Sequence, residues 1–166
     1  MVVMGVSATG KTQIGERMAR SLGFDFLEGD SYHPESNIEK MEEGIPLTDA
    51  DRAPWLRTLA GLLSDRDDDD RSTVLTCSAL KRSYRDILRK GAPSVYFVHL
   101  HAPYDILVGR MSKRTAHFMP TSLLESQFET LEPLGSDEDG VQVDVSPPMD
   151  AIAREAVDKV RWRFGL

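Results

Sequence analysis

The feature that most constrains this chain is a glycine-rich motif close to its beginning. The motif reads Gly5-Val6-Ser7-Ala8-Thr9-Gly10-Lys11-Thr12, which fits the phosphate-loop pattern G-x-x-x-x-G-K-[ST]. A short apolar run precedes it at residues 1–4, and apolar Ile14, Met18 and Leu22 follow at helical spacing. This is the strand, loop and helix setting that the motif requires, so the sequence predicts a loop that binds the phosphates of ATP or GTP.

Each part of the motif has a physical role. Glycines allow the tight turn that points successive backbone N–H groups at a phosphate, and the helix dipole favours negative charge at the same place. We expect Lys11 to reach the β- and γ-phosphates and Thr12 to bind Mg²⁺. Nucleotide binding is therefore the first function that the residues indicate.

Length and composition restrict the class of protein. The 166 residues suit one domain, residues 1–166, that is long enough to bury a core. The single cysteine, Cys77, lies in an apolar run and is expected to be a packed residue in a reducing cytoplasm. No signal peptide and no apolar stretch of about 18 residues is found, which argues against secretion and membrane spanning. The net charge of −7 gives no general attraction to nucleic acid or to an anionic membrane.

Strand-like apolar runs alternate with amphipathic segments along the whole chain. The runs cover residues 2–4, 24–27, 73–77, 95–100 and 141–145. This alternation favours a mostly parallel sheet with helices on both faces. We therefore predict a three-layer α/β/α fold around a five-stranded sheet.

Two stretches interrupt the alternation. Residues 31–66 place two helical segments between the second and third strands, and residues 112–134 are rich in basic and small side chains. In a phosphotransferase these are the positions of a substrate cap and a closing lid. We expect cap and lid to belong to the same single domain.

Two carboxylates follow the second predicted strand. Glu28 and Asp30 lie at the carboxyl edge of the predicted sheet, where parallel α/β folds bind their ligands. A phosphoryl acceptor needs a carboxylate to orient its hydroxyl and to take its proton, and Mg²⁺ needs oxygen ligands. We assign Asp30 to the hydroxyl and Glu28 to the metal through water, while ordinary loop carboxylates remain the alternative.

A basic cluster is predicted beyond the third strand. If Ser78 caps the next helix, Lys81 and Arg85 share one face near its N-terminus. Together with Arg52 they would bind a carboxylate or phosphate, and solvated surface charge is the alternative. No Walker B aspartate ends this strand, so the metal depends more on Thr12 and Glu28.

Further cations and histidines come later in the chain. Arg110 and Arg114 lead into His117, and such cations on a closing segment would neutralise charge on the transferred phosphoryl group. A solvated helix end is the alternative. His99 and His101 face the same way on the fourth strand, but two histidines without a third ligand are weak support for a metal site.

Taken in order, these motifs resemble those of the gluconate kinases of the phosphate-loop, adenylate-kinase-like type. The resemblance covers nearly the whole chain. It is carried by residues 5–12, by Glu28-Gly29-Asp30 with His33-Pro34, by residues 37–41 and 44–52, by Pro54-Trp55-Leu56, by residues 77–81 with Tyr84-Arg85-Asp86, by His117-Phe118 and by residues 127–132.

The resemblance implies an activity and a set of site residues. It implies ATP- and Mg²⁺-dependent phosphorylation of the 6-hydroxyl of D-gluconate in a cytoplasmic homodimer. Gluconate is a polyol with a carboxylate, so it would give the basic cluster an anion to bind. The substrate-binding residues would be Asp30, His33, Arg52, Lys81, Arg85, His117 and Gln127. Lys11, Arg110 and Arg114 would serve the nucleotide and the transferred group, with Ser146 and Pro147 beside the adenine.

The chain departs from the family pattern at three positions. Aspartate is usual where this chain has Glu28, and glycine and serine are common where it has Ala8 and Thr9. A contact to Mg²⁺ through water tolerates the extra methylene of Glu28 more easily than a direct bond. We expect none of the three changes to inactivate the site.

Two other functions fit part of the sequence. A shikimate kinase or another small-metabolite kinase shares the architecture, and a nucleotide-dependent switch shares the phosphate loop. The segment 33–55 and the run 77–85 favour the gluconate kinase pattern. A switch without an acceptor would have no use for Asp30, Arg52, Lys81 and Arg85 together.

Overall fold

The computed structural model describes residues 1–113 and 120–166 and contains a five-stranded parallel sheet. The strand order is β2-β3-β1-β4-β5. The strands are β1 Val2–Met4, β2 Asp25–Glu28, β3 Thr73–Thr76, β4 Phe97–His101 and β5 Gly140–Asp144. The predicted fold class is confirmed, and four of the five predicted strands differ from the observed ones by one or two residues at an end.

Seven α-helices and one 3₁₀ helix connect and cover these strands within the described residues. The α-helices are α1 Lys11–Leu22, α2 Glu35–Glu42, α3 Asp49–Asp68, α4 Arg82–Gly91, α5 Tyr104–Ser112, α6 Thr121–Thr130 and α7 Met149–Phe164. The 3₁₀ helix Gly29–Tyr32 follows β2 directly. None of the helices in the described part of the chain is both long and apolar enough to cross a bilayer.

The central strand explains where the site lies. β1 pairs with β3 on one side and with β4 on the other. The carboxyl end of β1 therefore lies at the point where the strand order reverses. The three β1 residues are fully buried, as expected for a strand covered on both faces. The loop that follows β1 therefore opens into the crevice between the two halves of the sheet.

The core combines residues of the strands with the buried faces of the helices. Ile14 and Met18 of α1 and Leu59 of α3 are fully buried. Cys77 is also buried, and burial raises the pKa of its thiol to about 12. This confirms the expectation that Cys77 is a packed residue and not a nucleophile.

Two helices, α2 and α3, lie between β2 and β3, within the stretch interpreted as a cap. The second is long and begins with a capping box, in which Thr48 and Asp51 satisfy each other's backbone N–H groups. Its first turns face the phosphate loop side of the molecule, and its later residues join the core. The stretch interpreted as a lid contains α6, and residues 114–119 of that stretch lie outside the described residues. The cap and lid roles remain predictions.

Candidate active site

The phosphate loop runs from the end of β1 into α1, as the motif predicted. Gly5 has φ +141°, and a Cβ there would lie 2.4 Å from the carbonyl oxygen of Leu100. Gly10 has φ +84° and stands immediately before α1. Both positions require glycine, one because of the neighbouring strand and both because of their backbone conformation.

The two unusual loop residues are accommodated differently. Ala8 has φ +66°, a left-handed conformation that costs a residue with a Cβ about 1 kcal/mol relative to glycine. Thr9 is fully buried, and its hydroxyl donates to the carbonyl oxygen of Val6 at 2.9 Å. Ala8 thus carries a modest backbone strain, whereas Thr9 stabilises the loop through a hydrogen bond within it.

Thr12 and Glu28 meet at the carboxyl edge of the sheet. The Thr12 hydroxyl donates to Glu28 Oε2 at 2.5 Å, and the Thr76 hydroxyl donates to Glu28 Oε1 at 2.5 Å. A hydroxyl and a carboxylate beside a phosphate loop are the oxygen ligands that suit Mg²⁺, which keeps several waters and binds substrate phosphates as well. The described residues contain no cluster of three His, Cys, Asp or Glu side chains suited to a metal. The donor set therefore fits a nucleotide-bound Mg²⁺ better than a metal held by protein alone.

One cleft brings Lys11 together with four of the seven predicted substrate-binding residues. It lies between the phosphate loop, the segment 30–55 and α6. Its lining includes Ser7, Lys11, Asp30, His33, Arg52, Trp55, Ser78, Leu123 and Gln127. A phosphate-binding lysine, a carboxylate, a guanidinium and an amide thus face one space, although they are far apart in the sequence.

Two side chains of the cleft form hydrogen bonds with the backbone of the phosphate loop. Lys11 Nζ donates to the carbonyl oxygen of Val6 at 3.0 Å, so the side chain folds over the loop. The side-chain oxygen of Gln127 accepts the N–H of Ser7 at 2.7 Å. Gln127 was expected to bind an acceptor hydroxyl, and the structure places it against a phosphate-loop N–H instead.

The acceptor side of the cleft is formed by Asp30 and Arg52. The Asp30 side chain is 67% exposed, at the start of the 3₁₀ helix. Arg52 is buried, and its Nη1 donates to the carbonyl oxygen of Leu47 and to the Tyr84 hydroxyl. The Tyr84 ring also lies beneath the Arg52 guanidinium, 5.5 Å from Cζ to the ring centroid. The geometry therefore offers one exposed carboxylate and one buried cation.

The loop after β5 lies beside Arg110. The Arg110 guanidinium donates to the carbonyl oxygen of Val145. In the next turn Asp144 Oδ1 accepts from both the N–H and the hydroxyl of Ser146, at 2.9 and 2.7 Å. Arg110, Ser146 and Pro147, which were all expected on the nucleotide side, thus belong to one corner of the molecule.

Comparison with known proteins agrees with this geometry. Residues 1–134 match the family model described as an AAA domain. The chain is 43% identical over 164 residues to the thermosensitive gluconokinase of Escherichia coli K12, covering 96% of this chain and 88% of that protein. It is 47% identical over 157 residues to the gluconokinase of Gluconobacter oxydans 621H, covering 95% and 88%. The chain belongs to the gluconokinase family.

A solved structure of a family member has the same fold. The crystal structure of a gluconokinase from Sinorhizobium meliloti 1021 is 51% identical in sequence, with a TM-score of 0.87. The alignment covers 95% of this chain and 88% of that one. Family membership agrees with the resemblance that the motifs indicated.

Arg85 is not available to a substrate, which corrects its predicted role. Its side chain is fully buried, with Nε and Nη2 each 2.7 Å from the carboxylate of Glu138. Its Nη1 donates to the carbonyl oxygens of Ala79 and Glu132, both at 3.0 Å. The guanidinium is therefore saturated inside the protein, and Arg85 is a structural residue that fastens the segment after α6 to α4.

Lys81 occupies a different position from the one expected. Helix α4 begins at Arg82, so Lys81 is the residue before the helix and Ser78 does not cap it. Lys81 Nζ lies 3.0 Å from Asp49 Oδ1, and Asp49 also accepts from the Tyr84 hydroxyl. These hydrogen bonds, that from Tyr84 first and that from Lys81 second, hold the pKa of Asp49 below its ordinary value. Lys81 is not among the described residues that line the cleft.

Two predicted residues fall outside the described part of the chain. These are Arg114 and His117. Two further side chains contact residues of the cleft, Asn37 beside His33 and Tyr84 beside Arg52. Both belong to motifs that indicated the family but suggest no chemistry by themselves, so the sequence predicted no role for them. Trp55, which the sequence analysis named only as part of the family resemblance, lines the cleft and stacks on His33, with 4.0 Å between ring centroids.

The first histidine of the β4 pair is buried in the core. His99 is 3% exposed, and neither ring nitrogen has a hydrogen-bond partner among the described residues. The His101 ring is 5.9 Å away between centroids. Burial, with smaller effects from His101 and Arg85, lowers the pKa of His99 to about 4. His99 is therefore a neutral core residue at neutral pH.

This burial predicts an acid-dependent loss of stability. His99 takes up a proton in the unfolded chain near pH 6.5 but in the folded protein only near pH 4, so the free energy of unfolding falls as the pH drops between these values. Between pH 7.5 and pH 5 the contribution of His99 is about 2 kcal/mol. In His99→Leu we expect that part of the loss to disappear, as measured by urea unfolding at both pH values. Equal losses in the two proteins would contradict the prediction.

Proposed function

We propose that this protein transfers the γ-phosphoryl group of ATP to the 6-hydroxyl of D-gluconate, giving 6-phospho-D-gluconate and ADP. The proposal is supported by membership of the gluconokinase family. The observation that carries it is the single cleft in which Lys11 of the phosphate loop faces Asp30 and Arg52. A donor site and an acceptor site within one cleft are what phosphoryl transfer requires.

Asp30 is the group that we assign to the acceptor hydroxyl. Its carboxylate lines the cleft and is largely exposed, and among the described residues its nearest charged partner is His33 Nε2, at 3.8 Å. A carboxylate in this position accepts a hydrogen bond from the attacking hydroxyl and takes its proton as the new P–O bond forms. This is the role that the sequence predicted for Asp30.

Arg52 is the group that we assign to the substrate carboxylate. Within the described residues its hydrogen bonds all start from Nη1, which leaves Nε and Nη2 to a ligand. With Arg85 buried against Glu138 and Lys81 paired with Asp49, Arg52 is the cation that remains on the acceptor side of the cleft within residues 1–113 and 120–166. A sugar acid matches one fixed guanidinium together with one hydroxyl-binding carboxylate.

The nucleotide side is assigned to the phosphate loop and to the corner formed by Arg110 and Ser146. The backbone N–H groups of residues 5–12 and the Lys11 ammonium would bind the phosphates, and Ser146 and Pro147 would lie beside the adenine. Thr12 and Glu28 are the residues that would hold Mg²⁺, Glu28 through water. When bound, Mg²⁺ offsets the negative charge of the phosphate oxygens.

We also propose that the protein acts as a cytoplasmic homodimer. The buried thiol of Cys77 is consistent with a reducing compartment, and the family resemblance supports the dimer. Light scattering after size-exclusion chromatography measures the assembly directly, and a monomeric mass at micromolar concentration would contradict the dimer.

A coupled assay of ADP release tests the activity. The acceptors are D-gluconate, shikimate, glucose, nucleoside monophosphates and a blank without acceptor, each with ATP and Mg²⁺. We expect turnover with gluconate that is well above every other acceptor and above the blank. Background turnover with gluconate would contradict the proposal, and activity with shikimate instead would support the shikimate kinase alternative. ATP binding without turnover on any acceptor would support a nucleotide-dependent switch.

A further inference from the structure

The ring of His33 is fixed inside the cleft by contacts within the protein. It stacks on Trp55 with an interplanar angle of 20°, and Trp55 Nε1 donates to the carbonyl oxygen of Gly29 at 2.8 Å. The His33 side chain is only 4% exposed. One ring nitrogen faces Asn37 and the other faces Asp30. The chain itself, and not a ligand, therefore sets the orientation of the ring.

The side-chain amide of Asn37 determines which nitrogen of His33 carries the proton. Asn37 is 2% exposed, and its Nδ2 lies 3.0 Å from the carbonyl oxygen of Asp51 and 3.3 Å from His33 Nδ1. A backbone carbonyl oxygen can only accept, so the amide must present its NH₂ group at this place. One of its hydrogens points to Asp51 and the other to Nδ1. His33 Nδ1 is thus an acceptor, and the proton of the neutral ring lies on Nε2.

The environment of His33 keeps the ring neutral. Burial is the main cause that lowers its pKa below the ordinary value; the Asp30 carboxylate opposes this effect and the Arg52 guanidinium adds to it. A neutral ring with its proton on Nε2 presents a single N–H donor toward Asp30. The distance from Nε2 to Asp30 Oδ1 is 3.8 Å, which is longer than a hydrogen bond.

We propose that Asn37 and His33 are positioning residues for Asp30. Asn37 holds His33 in the Nε2–H tautomer, and this N–H directs one carboxylate oxygen of Asp30 so that the other faces the acceptor hydroxyl. The Asp30 side chain is exposed enough to move the short distance to His33 when a substrate enters, since catalytic hydrogen bonds commonly tighten in the substrate complex. The proposal rests on the proposed function, because Asp30 needs a hydroxyl to act on. His33 thereby changes from a predicted hydroxyl ligand into a residue that acts through Asp30.

The tautomer can be measured without any substrate. A long-range ¹H–¹⁵N NMR spectrum of the imidazole side chains, assigned with a His33→Gln sample, shows which nitrogen of His33 bears the proton. We expect Nε2 in the wild-type protein and a mixture of both tautomers in Asn37→Ala. A proton on Nδ1 in the wild type would overturn the proposal, and so would an unchanged tautomer in Asn37→Ala.

A pair of substitutions at His33 separates positioning from substrate binding. The amide nitrogen of glutamine reaches about as far as Nε2 of histidine, whereas that of asparagine reaches only as far as Nδ1. We therefore expect His33→Gln to keep most of kcat and His33→Asn to lose about 10- to 100-fold, the scale of a misplaced catalytic group, with little change in KM for gluconate. Equal kcat values for the two variants, or a rise in KM for gluconate with kcat retained, would overturn the positioning role.

Asn37→Ala is compared with Ser36→Ala, an exposed neighbour on the same helix. We expect kcat to fall about 10-fold in the first and to stay at the wild-type level in the second. An unchanged kcat in a folded Asn37→Ala protein would overturn the proposal. Wild-type protein without gluconate turnover would instead refute the proposed function, and the NMR measurement would still decide the tautomer.

Discussion

Replacing Asp30 by asparagine is expected to lower kcat for gluconate by about two to four orders of magnitude, because a positioned base contributes that much to a proton transfer. The amide has nearly the same shape as the carboxylate but cannot take a proton. The Asp30 side chain is 67% exposed, so the substitution removes no packing from the core. The loss should therefore appear in kcat and not in the fraction of folded protein.

Nucleotide binding gives the necessary control for this variant. Asp30 contacts the phosphate loop through no hydrogen bond in the described residues, so the affinity for ATP, measured by calorimetry, should stay within a few-fold of wild type. Glu39→Gln, which changes an exposed carboxylate of the nearby helix α2, should retain full activity. An Asp30→Asn protein with normal kcat would remove Asp30 from the reaction.

Replacing Arg85 by alanine is expected to lower the free energy of unfolding by about 3–5 kcal/mol, the range measured when one partner of a buried ion pair is removed. Glu138 is 1% exposed in its side chain and would remain in the core with the partly exposed Arg89 and the N–H of Gly135 as its partners among the described residues. Although burial by itself would raise the pKa of Glu138, the hydrogen bonds from Arg85 and Arg89 lower it to about 2. The carbonyl oxygens of Ala79 and Glu132 would lose a donor as well.

Urea unfolding followed by tryptophan fluorescence measures this loss. The matched control is Arg82→Ala, on the same helix, because Arg82 pairs with Asp137 at the surface and exposed pairs contribute little. We expect a much smaller effect there. Folded Arg85→Ala protein should have nearly the same KM for gluconate as the wild-type protein. A stable Arg85→Ala protein with a strongly raised KM would instead return Arg85 to the substrate site.

The contrast between Asp30 and Arg85 shows how far the sequence could predict the site. Asp30 follows a strand, and the carboxyl end of a parallel strand is a ligand-binding position in every fold of this class, so local pattern was sufficient. Arg85 lies on a helix, and its role depends on Glu138, which is 53 residues further along the chain. Nothing in the spacing of charges around Arg85 distinguishes a ligand-binding guanidinium from one that is neutralised from a distant segment.

Gln127 and Asn37 also have contacts that the sequence could not predict. Gln127 was assigned to the substrate, and it does line the cleft, but its amide oxygen accepts the Ser7 N–H 120 residues away. Asn37 carries no chemistry of its own. Its importance arises only where the ring of His33 and the carbonyl of Asp51 meet its amide. Such roles arise where three residues from different parts of the chain meet, and the spacing of residues in the sequence does not predict such a meeting.

The sequence by itself determined the parallel α/β fold, the phosphate loop of residues 5–12 and the placement of Glu28 and Asp30 at the carboxyl edge of the sheet. These follow from hydrophobic periodicity and from backbone requirements at glycine, which are local properties of the chain. The tertiary structure alone decided which cations face the cleft. This depends on whether the fold places a carboxylate from a distant part of the chain beside each cation. It assigned Arg52 to the cleft, Lys81 to Asp49 and Arg85 to Glu138.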